Sequence, residues 1–300
     1  MNREVIVDKE NWKFVDCNLC GSTGFKTIFK DKILCDGKEV IFNTVKCVKC
    51  GFIYNNPLNI TGIGNSFKKI ESITNQAQWR ITHKINIYFH ALEILSKMYD
   101  LKDKNLLDIG CACGSFLDMA RLFGFKAKGI ELSKQQAAYA VNQLQLDVIE
   151  AGTVDPLIKE HRNFFDVITM WDVLEHIPNA KSTLQKISCL LVPGGILMLK
   201  IPNSYFQITK AKLARLFFPN LYKVLGAGDH VIHFTEKSIK KMLLDTGFEV
   251  KIFENSKRDL AQYSPFSIFQ KAYYKMALIV EKLTGMHIGN YYFIVAKKKS

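Results

Sequence analysis

Three groups of residues in this chain carry chemistry by type and spacing. Four cysteines stand as two pairs, Cys17-x-x-Cys20 and Cys47-x-x-Cys50, each pair followed by glycine (Gly21, Gly51). Two thiolate hooks across a hairpin match a tetrahedral four-cysteine zinc site, which is closed and therefore structural. In a segment of about 60 residues the metal supplies folding energy that a small core cannot. The glycines suit turns whose backbone N–H groups face a thiolate. The second group is Asp108-Ile109-Gly110-Cys111-Ala112-Cys113-Gly114-Ser115, a turn of small residues after an apolar run. Small residues let a ligand approach the backbone, and a helix start beyond them offers free N–H groups. The third is a set of histidines, His176, His230 and His233, side chains suited to moving a proton near neutral pH.

These residues need elements to hold them. Leu106–Ile109 reads as a strand, and Phe116-Leu117-Met119-Ala120-Leu122-Phe123 as a helix stopped by Gly124. The turn between them thus lies at the carboxyl end of a strand, where open α/β sheets bind ligands. Glu131 closes the next apolar stretch, as does the ribose-binding acid about 20 residues beyond the turn in nucleotide folds. Ser133 is a good N-cap for a helix through Ala137, Ala138, Val141 and Leu144. Strands follow at 147–150, 165–170 and 196–201, a helix at 236–246 capped by Gly247, and strands at 248–254 and 291–297. An adenosine-type cofactor is expected. The dinucleotide pattern Gly-x-Gly-x-x-Gly fails, with Gly110, Ala112 and Ser115 at its positions, and no Walker Gly-Lys-Ser/Thr is present.

The turn resembles the first motif of class I S-adenosylmethionine-dependent methyltransferases, Asp-x-Gly-x-Gly-x-Gly, through Asp108, Gly110, Ala112 and Gly114, with alanine for the middle glycine. That alanine is tolerable at negative φ and crowds the loop at positive φ. Asp172-Val-Leu-Glu-His-Ile-Pro178 and Leu191-Val-Pro-Gly-Gly195 are similar to later motifs of the family, in order, and the resemblance covers roughly residues 75 to 297. It implies a Rossmann-like α/β fold with a seven-stranded sheet that ends in an antiparallel pair. It implies S-adenosylmethionine held by Asp108, Gly110, Ala112, Gly114 and Glu131, with Leu132 as an adenine wall. Thr153 stands near a position where the family often has an adenine-contacting acid, and Trp171 and Asp172 border the methyl-donor end. Two domains are expected, a zinc-ribbon-like module over 1–60 and a methyltransferase domain over 61–300, with a lid insertion around 204–230. That combination resembles a bacterial group tied to sugar and cell-surface polysaccharide biosynthesis, and implies a sugar or nucleotide-linked sugar as acceptor.

Methyl transfer needs alignment and removal of an acceptor proton. His233 or His230 is the expected base, on a loop where Asp229 can raise histidine basicity, with His176 third. The 205–225 segment mixes Phe206, Leu213, Leu216, Phe217, Phe218 and Tyr222 with Lys210, Lys212, Arg215 and Lys223, as a water-excluding lid does. A rival reading rests this segment on a membrane surface to meet a lipid-linked acceptor. Residues 265–285 carry Phe266, Phe269, Tyr273, Met276 and Ile279, a pattern of packing residues.

The net charge of +13 fits lysine-rich solvated faces or an anionic partner: a phosphorylated sugar, nucleic acid or an acidic membrane surface. An RNA methyltransferase using the zinc module for recognition is the alternative, although Trp171-Asp172-Val173-Leu174 replaces the Asn-Pro-Pro-Tyr-type motif of base-amine methylation. Charges interrupt the N-terminal residues, so no signal peptide is expected, and no apolar stretch reaches the length of about 18 that a membrane span needs. Eight cysteines, half of them in paired spacing, suit a reducing cytoplasm.

Overall fold

The computed structural model describes residues 12–35, 38–59, 73–217, 230–256 and 267–299. It divides into two compact units, one over residues 69–173, 183–201 and 243–300, the other over 1–68, 174–182 and 202–242.

The first unit is built on a seven-stranded sheet. Its strands are β6 (Asn105–Ile109), β7 (Lys126–Glu131), β8 (Asp147–Glu150), β9 (Phe165–Trp171), β10 (Leu191–Pro202), β12 (Phe248–Asn255) and β13 (Tyr291–Lys298). They lie in the order β12-β13-β10-β9-β6-β7-β8. The run from β10 to β8 is parallel, and β12 pairs antiparallel with β13. Central strands are apolar on both faces, as in β9, where Val167, Ile168 and Met170 are fully buried. Strand order reverses between β6 and β9, which opens a crevice at their carboxyl ends. Helix α1 (Ile73–Met98) buries Ile87, Tyr88, Ala91, Leu92 and Leu95, one helical stripe. That stripe joins Phe116 and Leu117 of α2 (Ser115–Leu122) and Trp171 and Phe293 of the sheet in one core. Tyr88, Phe116 and Trp171 meet ring to ring at 4.9–5.8 Å. Helix α3 (Lys134–Leu144) starts at Ser133, whose hydroxyl accepts from Gln136 N–H, as expected of an N-cap. Further along the chain, α4 (Asp155–Ile158) precedes β9, α5 (Ala180–Leu190) precedes β10 and α7 (Glu236–Asp245) precedes β12.

Helix α8 (Ser267–Thr284) departs from expectation. Glu281 accepts a 2.6 Å hydrogen bond from Asn255 Nδ2 and Ala277 is buried, yet Met276 and Ile279 are exposed. Apolar spacing selects a face; it does not say whether that face meets the core.

The second unit holds β2 (Phe25–Cys35), β3 (Lys38–Cys47), β4 (Ile53–Asn56) and β11 (Ile232–His233), a four-stranded antiparallel sheet in the order β11-β4-β3-β2. A two-stranded pair, β1 (Trp12–Lys13) with β5 (Leu58–Asn59), accompanies it. Phe52 packs on Tyr54 and Phe234, and helix α6 (Ser204–Phe217) sets Ile208 and Ala211 against Phe29 and Ile53. Strand β11 comes late in the sequence and still pairs with the cysteine-bearing hairpin, Ile232 opposite Tyr54. The unit therefore contains segments from far beyond residue 60.

Candidate active site and metal centre

The donor-side turn follows β6. Gly110 (φ 72°), Ala112 (φ 52°) and Gly114 (φ 82°) are all left-handed. A Cβ on Gly110 would lie 2.5 Å from Val173, and one on Gly114 2.4 Å from Leu146, so conformation and space both demand glycine there. Ala112 adopts the positive φ that crowds a side chain, and it is buried. What holds it is Glu131, at the end of β7, whose Oε2 accepts Ala112 N–H at 2.8 Å. The left-handed cost of about 1–2 kcal/mol exceeds the roughly 0.4–1 kcal/mol by which glycine loosens the unfolded chain. Ala112→Gly is accordingly expected to stabilise the protein by about 0.5–1 kcal/mol. Thermal unfolding checks this; an unchanged or lower midpoint refutes the strain.

Glu131 is buried, and its Oε1 accepts Ser133 N–H at 2.7 Å, so one carboxylate ties the β6 turn to the start of α3. Each oxygen retains a lone pair for a ligand hydroxyl. Leu132 beside it is half exposed. Asp108 is fully buried and accepts Thr169 Oγ1–H at 2.7 Å; burial pushes its pKa up to about 7. Thr153 is exposed, with its hydroxyl on Asp155.

Trp171 lies in the core, whereas Asp172, at φ 58°, points its carboxylate between two buried lysines. Lys84 Nζ is 2.5 Å and Lys200 Nζ 3.0 Å from Asp172 Oδ2. Burial alone would raise the Asp172 pKa; the Lys200 and Lys84 ammonium groups outweigh it and hold the carboxyl well below its usual range. Burial lowers the pKa of Lys84. Neither lysine was singled out in the sequence. Lys200 had a signal, a lone charge in the run Leu197-Met198-Leu199-Lys200-Ile201; Lys84 looks like any helix-surface lysine.

The histidines separate into two environments. His176 ends a three-ten turn (Leu174–His176), and its ring meets that of His230 edge-on at 4.9 Å between centroids. Ligand atoms of Glu175, His176 and His230 all lie within 4.8 Å of one another, and Glu175 is buried. Two hydrogen bonds hold the backbone of this grouping: Val231 N–H donates to Glu175 C=O at 3.0 Å, and the Asn55 side-chain Nδ2 donates to His230 C=O at 2.8 Å. That orients Asn55 Oδ1 toward His233 Nε2, 3.1 Å away, which must then carry the ring proton. His233 is buried, and burial first, with His230 beside it, lowers its pKa to about 3. A buried imidazole committed to Asn55 is poorly placed to serve as the expected base. Asp229 and residues 218–229 of the expected lid lie outside the described residues. Within α6, Tyr205, Leu213 and Leu216 are exposed.

The four cysteines converge. Cys17 Sγ and Cys50 Sγ are 3.5 Å apart, Cys20 Sγ and Cys47 Sγ 3.6 Å, and all four lie within 4.8 Å. Bonds of about 2.3 Å to a tetrahedral zinc place sulfurs roughly 3.8 Å apart, and a disulfide needs about 2.05 Å, so this set fits the ion and not a crosslink. The two hooks are built alike: Gly21 N–H donates to Cys17 C=O and Gly51 N–H to Cys47 C=O, with both glycines left-handed. The N–H groups of Leu19 and Cys20 face Cys17 sulfur, and those of Lys49 and Cys50 face Cys47.

A family model described as a methyltransferase domain matches residues 81–251, more than half of the chain. The chain belongs to this methyltransferase family. It is an S-adenosylmethionine-dependent methyltransferase. Among curated proteins, this methyltransferase is similar to the ubiquinone biosynthesis O-methyltransferase of Colwellia psychrerythraea, 26% identical over 197 residues, 58% of this chain and 76% of the relative. The Paracidovorax citrulli enzyme of the same name is 29% identical over 180 residues, covering 57% and 71%. The Chromobacterium violaceum one is 29% identical over 127 residues, 40% of this chain and about half (52%) of its own length. These names do not support the expected polysaccharide-biosynthesis role. In fold, the methyltransferase resembles an S-adenosylmethionine-dependent methyltransferase structure from Listeria monocytogenes (TM-score 0.51, 17% identity, covering 72% of this chain and 99% of that one). It also resembles a chain of the complex between the Haloferax volcanii Trm112 methyltransferase activator and a methyltransferase (0.53, 14%, 76% and 94%). Among the described residues, no helix is long and apolar enough to cross a membrane.

Proposed function

We propose that the protein methylates a hydroxyl oxygen of a small, anionic molecule, a sugar or nucleotide-linked sugar, with its four-cysteine set binding a structural zinc. The observation that carries the oxygen acceptor is the Glu175–His176–His230 grouping. It begins three residues beyond Asp172, which borders the donor end, and it offers imidazoles where base-amine enzymes carry a different motif. Glu131 holds the ribose hydroxyls, and the Gly110–Gly114 turn holds the methionine part. Bound there, S-adenosylmethionine supplies a methyl group on a sulfonium. The histidine grouping activates the acceptor: an imidazole nitrogen takes the hydroxyl proton, the O–CH3 bond forms as the S–CH3 bond breaks, and a neutral thioether leaves. Alignment of the three atoms supplies much of the rate. The net charge of +13 supports an anionic acceptor. The printed names of the relatives favour a second reading, a hydroxyl on a quinone-type ring delivered from a membrane surface.

Transfer of a labelled methyl group to three acceptor classes tests this: nucleotide-linked sugars, dihydroxylated phenols and RNA. Label on the sugar is expected. Label on the phenol alone overturns the sugar, and label on RNA overturns small-molecule specificity altogether. His176→Ala and His230→Ala are each expected to lower kcat by about 10²- to 10⁴-fold, the usual worth of a proton-moving group, with donor affinity unchanged. Equal kcat in both variants would remove the grouping from the reaction.

A further inference from the structure

We infer that the exposed face of helix α8 lies on an anionic lipid surface. The inference goes beyond the proposed reaction and holds whichever acceptor is methylated. Helix α8 (Ser267–Thr284) leaves the sheet after β12 and returns to it at β13, so it is an excursion within one antiparallel pair. One side of the helix is docked. Ala277 is buried, Asn255 Nδ2 donates to the Glu281 carboxylate at 2.6 Å, and Tyr273 O–H donates to Ile288 C=O. These contacts fix which side faces away. At 3.6 residues per turn, Ala272, Met276, Ile279 and Leu283 fall within an arc of about 60°, on the side away from Ala277 and Glu281. All four are exposed, Ile279 by 58% and Leu283 by 77%. Met286, just past the left-handed Gly285, adds a further exposed apolar side chain. A surface helix ordinarily turns its apolar stripe to the core; this one turns a stripe outward.

Charge selects what covers the strip. Lys271, Lys275 and Lys282 are exposed along one edge of it, about 40–80° around the helix from Ile279. Glu281 is the only acid in α8, and it is held on the docked side by Asn255. The outward face therefore carries an apolar strip with a row of ammonium groups beside it and no carboxylate. That is the makeup of a helix lying in the headgroup boundary, with apolar side chains toward the acyl chains and lysines among the phosphates. A second copy of this chain is a poor occupant, because pairing two such strips adds three more ammonium groups and no acid to the seam. The lysines also rule out a crossing orientation, which would carry them into hydrocarbon. The net charge of +13 draws the whole chain toward an anionic leaflet.

The full chain is mixed with phosphatidylcholine vesicles, with and without phosphatidylglycerol, and the bound fraction is read by sedimentation. Wild type is expected on the vesicles that contain phosphatidylglycerol, and to be released as salt is raised. An Ile279→Ser/Leu283→Ser double variant is expected to partition at least tenfold more weakly. A Lys271→Gln/Lys275→Gln/Lys282→Gln triple variant is expected to lose on the order of 10²-fold. All five side chains are exposed, so unfolding midpoints are expected to match wild type. Leu122→Ser removes a leucine of α2 that is 76% exposed, and is expected to bind as wild type does. Adsorption through net charge alone would weaken with the lysines and ignore the apolar change. Equal binding by wild type and Ile279→Ser/Leu283→Ser therefore overturns the proposal, as does a wild type that stays off both kinds of vesicle. A wild-type dimer in light scattering that the apolar double variant turns into a monomer overturns it too, and assigns the strip to a second copy.

Discussion

Glu131→Ala is expected to abolish measurable binding of S-adenosylmethionine while the chain stays folded. The carboxylate has two duties. It accepts Ala112 N–H and Ser133 N–H, and its remaining lone pairs are the acceptors proposed for the ribose hydroxyls. Hydrogen bonds to a charged group contribute about 1.5–3 kcal/mol each, so losing two weakens binding by about 10²- to 10⁴-fold. The same substitution strands two backbone N–H groups at about 1–3 kcal/mol each if water cannot reach them. That lowers stability within the 5–15 kcal/mol or so that a domain possesses. Glu131→Gln separates the duties, because its single oxygen keeps one acceptor without the charge; roughly a tenfold loss is expected. Calorimetry with S-adenosylhomocysteine reads both variants. An affinity for Glu131→Ala within threefold of wild type would mean that the acid shapes the loop and never touches the ligand.

Removing the zinc proposed for the cysteine set has the other large expected effect. Zinc in small Cys-rich modules contributes on the order of 10 kcal/mol of folding energy, comparable with the whole stability of a domain. The hairpin that carries the hooks has a modest core, Phe29, Val45, Phe52 and Tyr54 being its main buried side chains. Cys20→Ser or exhaustive chelation is therefore expected to lower zinc content by about one ion per chain and to unfold the cysteine hairpin. Limited proteolysis within residues 17–50 would report the loss. Because β11 pairs with β4, His230 and its grouping are expected to be released with the hairpin, and transfer activity with them. A Cys20→Ser protein with full activity and unchanged proteolysis would show that the hairpin folds without the ion.

Much of the donor half was legible in the residues. Gly110 and Gly114 announce a turn that needs positive φ, Ser133 announces a helix start, and Glu131 closes its strand at the expected distance. Each is a local constraint, carried by one residue's conformational range or hydrogen-bonding capacity. Ala112 shows where local reading stops: the residue type left both signs of φ open, and the hydrogen bond to Glu131 chose the costly one.

The histidine grouping was decided in space. Three histidines looked interchangeable along the chain, and the one favoured as base is buried on Asn55, while His176 and His230 share a face with Glu175. No spacing rule links position 55 to 230, or Lys84 to Asp172, because those encounters depend on strands and helices brought together from distant segments. By itself the sequence determined the glycine turn and each cysteine hook, whose local geometry is complete within a few consecutive residues. Only the tertiary structure decided which histidines lie together and which charges neutralise one another. Burial and long-range pairing set those, and neither is a property of any short stretch of chain.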